Sequence, residues 1–178
     1  MDKLYCIALL PDEGFGAECL KYKLEAKSLF GTKVALKMPA HITIVAPFNA
    51  DLNQVDKIDE ILKNEVLQHK AFNLKIIGWN FFRKQTIYIA VENQLLLANF
   101  QLAINAKLAL IADLITRQDF IPHITIINRD LLIENFTAAL QYFSSKELKK
   151  VIYCRELALF ELQEKEWKVV QSYTLSTI

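Results

Sequence analysis

The chain has 178 residues, of which 53% are apolar and 23% charged, and its net charge at pH 7 is +1. This length fits one domain or two small lobes, and the composition supplies a sizeable core, which excludes a disordered chain. The near-neutral charge gives no sign of the basic stripe that grips long nucleic acid, whereas a small phosphorylated ligand or an oligonucleotide end is compatible with it.

The cysteines and the first apolar run bear on the compartment. Cys6, Cys19 and Cys154 are odd in number and form no Cys-x-x-Cys pair, so we predict buried free thiols in a reducing compartment. The apolar run over residues 4–10 is short and has no small-residue cleavage site, so we predict no signal peptide. No charge-free apolar stretch approaches ~18 residues, so we expect no membrane partner and a cytoplasmic location.

Strands and helices alternate in the first half of the chain. A buried strand over residues 4–10 is followed by a helix that Asp12 caps and that runs to about Phe30. Asp51 is predicted to cap a second helix, whose apolar residues recur at helical spacing. The other predicted strands of this half lie over residues 34–38, 41–47 and 72–82.

The second half predicts the same order again. A strand over residues 86–91 forms a hairpin with the preceding strand across the polar turn 83–85. After a later strand, Asp130 is predicted to cap a helix that reaches about Phe143. The remaining predicted elements are a helix over 95–115, a strand over 121–127 and a closing hairpin of strands 151–162 and 167–174.

The repeated order of elements has a fixed offset. His123 follows His41 by 82 positions, and the strand residues Ile89-Ala90-Val91 follow the similar Ile7-Ala8-Leu9 by the same 82 positions. Two matches at one offset indicate an internal duplication, with repeats at about 1–82 and 83–178 in a single bilobal domain, 1–178. We therefore predict pseudo-two-fold symmetry that brings equivalent strands to opposite sides of one cleft.

The tetrapeptide His-Ile-Thr-Ile occurs at 41–44 and at 123–126, and it contains two of the three histidines. Because side chains alternate along a strand, each histidine and threonine face one way and the isoleucines face the other. Two such strands across a cleft supply two imidazoles for acid–base chemistry and two hydroxyls. The third histidine, His69, lies near a helix end without a partner motif, and we interpret it as a surface residue.

These residues resemble the 2H phosphoesterases, a family that is named for two His-x-Thr/Ser-x motifs and includes the RNA 2′,3′-cyclic phosphodiesterases historically called 2′-5′ RNA ligases. Residues 39–44 with Pro47-Phe48 are similar to the first motif, residues 120–126 to the second, and residues 83–89 to the intervening turn and strand. The resemblance covers nearly the whole chain. It implies an α+β fold that is bilobal, with two antiparallel sheets lining a central cleft and helices outside.

The resemblance also implies roles for the motif residues. His41 and His123 become the catalytic pair, and Thr43 and Thr125 become donors to phosphate oxygens. One imidazole can take a proton from the attacking water while the other protonates the leaving ribose oxygen, and the hydroxyls can bond the non-bridging oxygens. This chemistry needs no metal and no cofactor, and the sequence leaves open which histidine is the base.

Four further residues are candidates for substrate binding. Arg129 lies six residues after the second histidine, so alternation places it on the cleft face, where it can hold a phosphate; a solvated strand-end charge is the alternative. Lys37, like Lys33, precedes the first motif and lines either the cleft or an exposed loop. Tyr5 and Tyr88 occupy similar places in the repeats and either flank a base or ribose or pack in the core. Other aromatic residues are interpreted as packing: Phe48, Trp79, Phe81 and Phe82.

The leading interpretation is a metal-independent phosphodiesterase that opens 2′,3′-cyclic phosphates, with a small nucleotide or an RNA terminus as its partner. The alternatives are a nucleotide-binding protein with little chemistry, an enzyme that joins RNA ends through 2′-5′ bonds, and a metal hydrolase that uses both histidines. The metal hydrolase is disfavoured because zinc catalysis usually needs three protein ligands and no third stands at an obvious position. The physiological substrate and the oligomeric state stay open.

Overall fold

The computed structural model describes residues 2–112 and 119–176. Within these residues the chain forms eight strands and four α-helices. The strands are β1 (Lys3–Leu10), β2 (Ile42–Ala50), β3 (Phe72–Phe82), β4 (Thr86–Val91), β5 (His123–Asn128), β6 (Lys150–Cys154), β7 (Glu156–Gln163) and β8 (Glu166–Thr174). The helices are α1 (Glu13–Phe30), α2 (Leu52–Gln68), α3 (Leu95–Leu108) and α4 (Phe136–Ser144), with 3₁₀ turns at Val34–Lys37 and Ile133–Asn135.

The strands form two antiparallel sheets of four strands each. Their orders are β2-β1-β7-β8 and β5-β4-β3-β6, and we call them the β2 sheet and the β5 sheet after the motif strands. Both motif strands lie at a sheet edge, and β2 and β5 contact each other. The predicted α+β class with two antiparallel sheets is confirmed, and the joint between the sheets lies where the two motifs are.

Helices and strands are exchanged between the two halves of the chain. Helix α1 follows β1 but contacts β5, and α3 follows β4 but contacts β2. Tyr22 of α1 packs edge-on against Trp79 of the β5 sheet, and Asn105 Nδ2 of α3 donates to the carbonyl of Ile44, 2.9 Å away. Strand β3 joins the β5 sheet, while β7 and β8 join the β2 sheet. The division into repeats at 1–82 and 83–178 stays a prediction about the sequence, because the sheets follow a different division.

Local capping sets the ends of the first two helices. The Asp12 carboxylate accepts a hydrogen bond from the Phe15 N–H, and α1 ends at Gly31, whose φ of 72° lies in the left-handed region that glycine tolerates. Asp51 and Gln54 form a reciprocal capping box at the start of α2. Both predicted caps are confirmed.

Short turns close both predicted hairpins, with three residues (83–85) between β3 and β4 and two (164 and 165) between β7 and β8. Arg83 and Lys84 between β3 and β4 both have φ of 50°, and Glu164 and Lys165 between β7 and β8 have φ of 48° and 71°. Positive φ at both central residues is typical of the turn whose twist matches paired strands. Strands β3 and β4 have the predicted bounds, so the first hairpin is confirmed in full.

The predicted strand over residues 34–38 is wrong, and so is the predicted role of Asp130. Residues Val34–Lys37 form a 3₁₀ turn. The Asp130 carboxylate accepts hydrogen bonds from the N–H groups of Lys33 and Val34, at 2.6 and 2.8 Å, and so caps this turn from across the chain. Helix α4 begins at Phe136 instead, without a side-chain cap.

Three other predicted boundaries differ from the structure. Strand β2 continues past Pro47 because it is an edge strand with irregular pairing there, and proline is tolerated at such places. The predicted strand over 151–162 is two strands, β6 and β7, which belong to different sheets and are separated by Arg155. Helix α3 ends at Leu108, and residues 113–115 of the predicted helix lie outside the described residues.

One face of each sheet packs against helices and forms the main core. A smaller apolar cluster of Cys6, Ala8, Ala158 and Phe160 lies on the other face of the β2 sheet. All three cysteines are free and buried, as predicted, and burial raises the pKa of each thiol to about 12. In the described part of the chain no helix combines the length and apolarity needed to cross a bilayer.

Candidate active site

Alternation along the two motif strands follows the prediction from sequence. Ile42, Ile44, Ile124 and Ile126 are buried in the main core. The histidines and threonines between them are only half-buried, because they face away from that core. The two motifs therefore present an imidazole and a hydroxyl side by side on adjacent strand edges.

Each motif histidine is held by the same backbone contact. His41 Nδ1 lies 2.8 Å from the carbonyl oxygen of Pro39, and His123 Nδ1 lies 2.7 Å from that of Ile121. A carbonyl only accepts hydrogen bonds, so Nδ1 carries the proton in both rings and Nε2 is the atom that titrates. Sequence reasoning missed these carbonyls. The available signal was a proline within two positions of each histidine, because proline restricts the backbone that leads into the strand.

The two motif strands pair differently with their neighbours. Ala8 of β1 lies opposite Thr43, whereas Ala90 of β4 lies opposite His123 and Tyr88 lies opposite Thr125. The first alanine therefore lies opposite the threonine of its motif, and the equivalent alanine of the second half lies opposite the histidine, two residues earlier. This displacement puts a tyrosine beside the second motif where the first has alanine.

A cavity of about 660 Å³ lies beside the second motif. His123 and Thr125 line it together with Arg129, whose N–H donates to the carbonyl of Gln85 at 3.0 Å. The other lining residues are Phe81, Phe82, Arg83, Gln85, Thr86, Asp119, Ile121 and Asn128. The cavity therefore combines two arginines with polar strand-end groups, a composition that suits an anionic ligand.

Aromatic rings surround His123. Phe82 and Tyr88 stack with ring centroids 4.3 Å apart, and both lie about 5 Å from the His123 ring, at 5.1 and 5.0 Å. Burial raises the pKa of Tyr88. The interpretation of Phe82 as hairpin packing missed its place in the cavity wall. Trp79 and Phe81 pack against aromatic rings of α4, and Phe81 also lines the cavity.

His41 has a different environment. The ring centroids of His41 and Phe160 lie 6.3 Å apart. The buried Lys23 of α1 interacts electrostatically with the His41 imidazole. Burial is the main cause that lowers the pKa of His41 to about 4. The hydrogen bond to Pro39 raises this pKa, and the positive charges of Lys23 and His123 lower it. The strands that follow and contain these histidines, β2 and β5, contact each other.

Two of the predicted substrate-binding residues lie elsewhere. Tyr5 faces the main core, where its hydroxyl donates to Glu161, 3.1 Å away, and its ring packs near Phe48. The offset of 82 aligns Tyr5 with Ile87 rather than with Tyr88, so the two tyrosines point to opposite faces. Lys37 is exposed on the 3₁₀ turn, where it interacts electrostatically with Glu166. It does not line the cavity beside the second motif.

His69 is also less exposed than predicted. It is the C-cap residue of α2, and its ring packs edge-on against Phe100 with centroids 4.8 Å apart. Its Nε2 lies 3.7 Å from a carboxylate oxygen of Glu65. The interpretation as a surface residue is therefore corrected, and His69 lies apart from the cavity beside the second motif.

Known structures share this architecture. E. coli LigT complexed with 3′-AMP superposes with a TM-score of 0.72 over 99% of both chains at 10% identity. TT0787 of Thermus thermophilus superposes at 0.64 over 97% of both chains, with 14% identity. Usb1 of Kluyveromyces marxianus reaches 0.50 over 98% of this chain and 97% of its own, with 10% identity. At these identities the likeness establishes the fold alone.

Sequence comparison establishes the family. No curated protein matches the chain by sequence. The family model described as the 2′-5′ RNA ligase superfamily matches residues 18–166, which include both motifs. With this match over most of its length and the LigT-like fold, the chain belongs to the 2′-5′ RNA ligase superfamily, the 2H phosphoesterases.

Proposed function

We propose that the protein is a metal-independent phosphodiesterase that opens 2′,3′-cyclic phosphates of RNA ends or small nucleotides. The observation that carries the proposal is the matched pair of histidines, His41 directly before β2 and His123 at the start of β5, each with its Nδ1 bonded to a carbonyl. Membership of a family of phosphoesterases and ligases supports it. Crystals of LigT with 3′-AMP, NADP+, ATP and phosphate support a nucleotide or phosphate ligand.

The surroundings of the histidines assign their roles in this proposal. With a pKa of about 4, His41 is neutral at pH 7, so its Nε2 can accept a proton from the water that attacks phosphorus. Nε2 of His123 then protonates the leaving ribose oxygen, and the negative charge of a bound phosphodiester favours its protonated form. In-line displacement needs base and acid on opposite sides of phosphorus, which suits histidines from two different sheets.

The remaining groups stabilise the phosphate in this scheme. The hydroxyls of Thr43 and Thr125 donate to non-bridging oxygens, whose charge is redistributed as the bond breaks. Arg129 and Arg83, which line the cavity beside His123, attract the phosphodiester. The cavity volume of about 660 Å³ lies within the range of small-ligand sites.

A metal hydrolase needs a set of metal-binding side chains, which is not found among the described residues. Zinc catalysis usually uses three protein ligands. Within residues 2–112 and 119–176, no three His, Cys, Asp or Glu side chains are grouped so that they could hold a metal ion. The proposal therefore relies on proton transfer between side chains, and it predicts activity in the presence of a chelator.

The test is a substrate panel with EDTA present throughout. It contains 2′,3′-cyclic nucleotides, 2′-5′ dinucleotides and oligonucleotides that end in a cyclic phosphate. We expect turnover of cyclic phosphates by the wild type and a loss of at least about 10²-fold in kcat for His41→Ala and for His123→Ala. The matched control His69→Gln removes the histidine that packs on Phe100 and keeps wild-type turnover.

Each other outcome identifies a different function. Near wild-type turnover in both motif variants contradicts the proposal. Saturable nucleotide binding without turnover indicates a binding protein, and accumulation of 2′-5′ linked product indicates end joining. Activity that returns only with added metal indicates a metal hydrolase. End-group analysis of the product also shows which ribose oxygen leaves.

A further inference from the structure

A buried lysine stands behind the first motif. Lys23 of α1 is only 3% exposed, and no carboxylate among the described residues pairs with it, which is rare for a lysine. Its Nζ donates to the carbonyl oxygen of Met38 at 2.8 Å. Met38 directly precedes Pro39, whose carbonyl holds Nδ1 of His41. The ammonium group is thus attached to the short backbone segment that orients the His41 ring.

We infer that Lys23 is a positioning residue for His41, because its ammonium group anchors the backbone that leads into the histidine and places a positive charge near the imidazole. The catalytic consequence of this inference rests on the proposed function. The effect on the ring itself does not, since it exists in the protein without substrate.

The groups around His41 favour this assignment. Lys23 from α1 and His123 from β5 are the charged groups that act on the ring, and both oppose its protonation. From β7 comes the apolar ring of Phe160, which shares a cluster with the thiol of Cys6 on β1. Both that thiol and Cys19 beside Lys23 have a pKa raised to about 12 by burial, so they are neutral at pH 7.

The segment before His41 is fixed at both ends. Asp130, which follows the second motif, accepts hydrogen bonds from the N–H groups of Lys33 and Val34 at its start. Lys23 holds the carbonyl of Met38 at its end. Because both anchors come from elsewhere in the chain, loss of the Lys23 anchor frees the end that carries the histidine.

The experiment is an NMR titration of the His41 ring in the protein without ligand. Lys23→Gln removes the charge but keeps a hydrogen-bond donor, and Lys23→Arg keeps the charge. Lys150→Met is the matched control, since it removes a cation that pairs with Glu18 on the same helix. We expect the His41 pKa to rise by about 0.5–1 unit in Lys23→Gln, by less than about half of that in Lys23→Arg, and not in Lys150→Met.

Two further measurements test the same inference. If His41 is the base, the acid limb of kcat/KM for Lys23→Gln moves to higher pH by the same amount, because the ring must be unprotonated to act. In the wild type, the His41 signal shows a second, smaller inflection near pH 8, where Lys23 loses its proton because burial lowers its pKa to about 8.

The inference is overturned by an unchanged His41 pKa in Lys23→Gln, or by equal shifts in the Gln and Arg variants, which make Lys23 a packing residue only. The absence of any second inflection over the pH range in which Lys23 loses its proton overturns it without any variant, so the test survives a variant that does not fold. Failure of the proposed function appears separately, as turnover that persists in His41→Ala.

Discussion

The two His-Ile-Thr-Ile strands carry the same residues in different surroundings. Both are edge strands, and both histidines bond a carbonyl two residues earlier through Nδ1. His41 lies near Phe160 and the buried Lys23, and its pKa is lowered to about 4. His123 lines a cavity with Arg129 and is flanked by the rings of Phe82 and Tyr88.

The difference separates what the motif decides from what its neighbours decide. The local backbone bond sets which nitrogen of each imidazole can titrate, and it is the same in both strands. The proton affinity depends on burial and nearby charge, which come from other elements. One duplicated motif can in this way supply a base and an acid, because the two copies are placed in unequal environments.

The largest expected effect is a different response of the two histidine variants to the leaving group. On a cyclic ribonucleotide, we expect both His41→Ala and His123→Ala to lose about 10³-fold in kcat/KM. On a nucleoside phosphodiester with a p-nitrophenolate leaving group, which needs no proton donor, His123→Ala regains most of this loss and His41→Ala does not. The measurement is kcat/KM for both substrates and all three proteins, and an equal response of the two variants breaks the division into base and acid.

The threonines test whether the hydroxyls act alike on both strands. We expect Thr43→Val and Thr125→Val each to lower kcat by about 10²-fold, because a non-bridging oxygen loses its donor in the transition state. Thr→Ser at the same positions keeps the hydroxyl and serves as the control. If the valine variants keep the wild-type kcat while their melting temperatures are unchanged, the hydroxyls do not contact the phosphate.

The low pKa of His41 predicts a pH dependence of stability. His41 titrates near 4 in the folded protein and near about 6.5 in the unfolded chain, so the unfolded state binds more protons between these values. The free energy of unfolding therefore rises with pH across this window, by about 1–2 kcal/mol from His41. Urea unfolding at several pH values measures it. His41→Gln loses this part of the slope and His69→Gln retains it; equal slopes in the wild type and His41→Gln contradict the low pKa.

The smallest expected effect concerns the connection between the two motifs. Asp130→Ala leaves the N–H groups of Lys33 and Val34 without their acceptor, and we expect it to cost about 1 kcal/mol of stability and to lower kcat several-fold. Asp51→Ala removes the cap of α2 at a similar cost in stability and leaves kcat unchanged. Chemical denaturation and kcat are measured for both variants. A kcat that falls equally in both variants contradicts a specific role of Asp130 in placing the first motif.

Features set by neighbouring residues could be predicted. The Asp12 and Asp51 caps, the bounds of the first hairpin and the burial of the motif isoleucines all agree with the structure. Each depends on residues within one helical turn, one tight turn or one strand. The assigned roles of the histidines and threonines stay predictions, because they depend on a substrate.

Features that depend on distant residues were predicted wrongly or missed. Asp130 follows a strand as a helix cap would, yet its carboxylate accepts from Lys33 and Val34 in the other half of the chain. The sequence left open whether Tyr5 meets the substrate or packs in the core, and the structure places it in the core. Phe81 and Phe82 were interpreted as packing residues although both line the cavity.

The sequence by itself determined the two motif strands, their alternating faces and the family, because a strand pattern and a tetrapeptide repeat are local properties that need no partner. Only the tertiary structure decided that α1 and α3 cross to the opposite sheets, that residues 151–162 divide between the sheets, and that Lys23 lies behind His41. These contacts join segments far apart in the chain, and burial and charge at such contacts, rather than the motif, lower the pKa of His41.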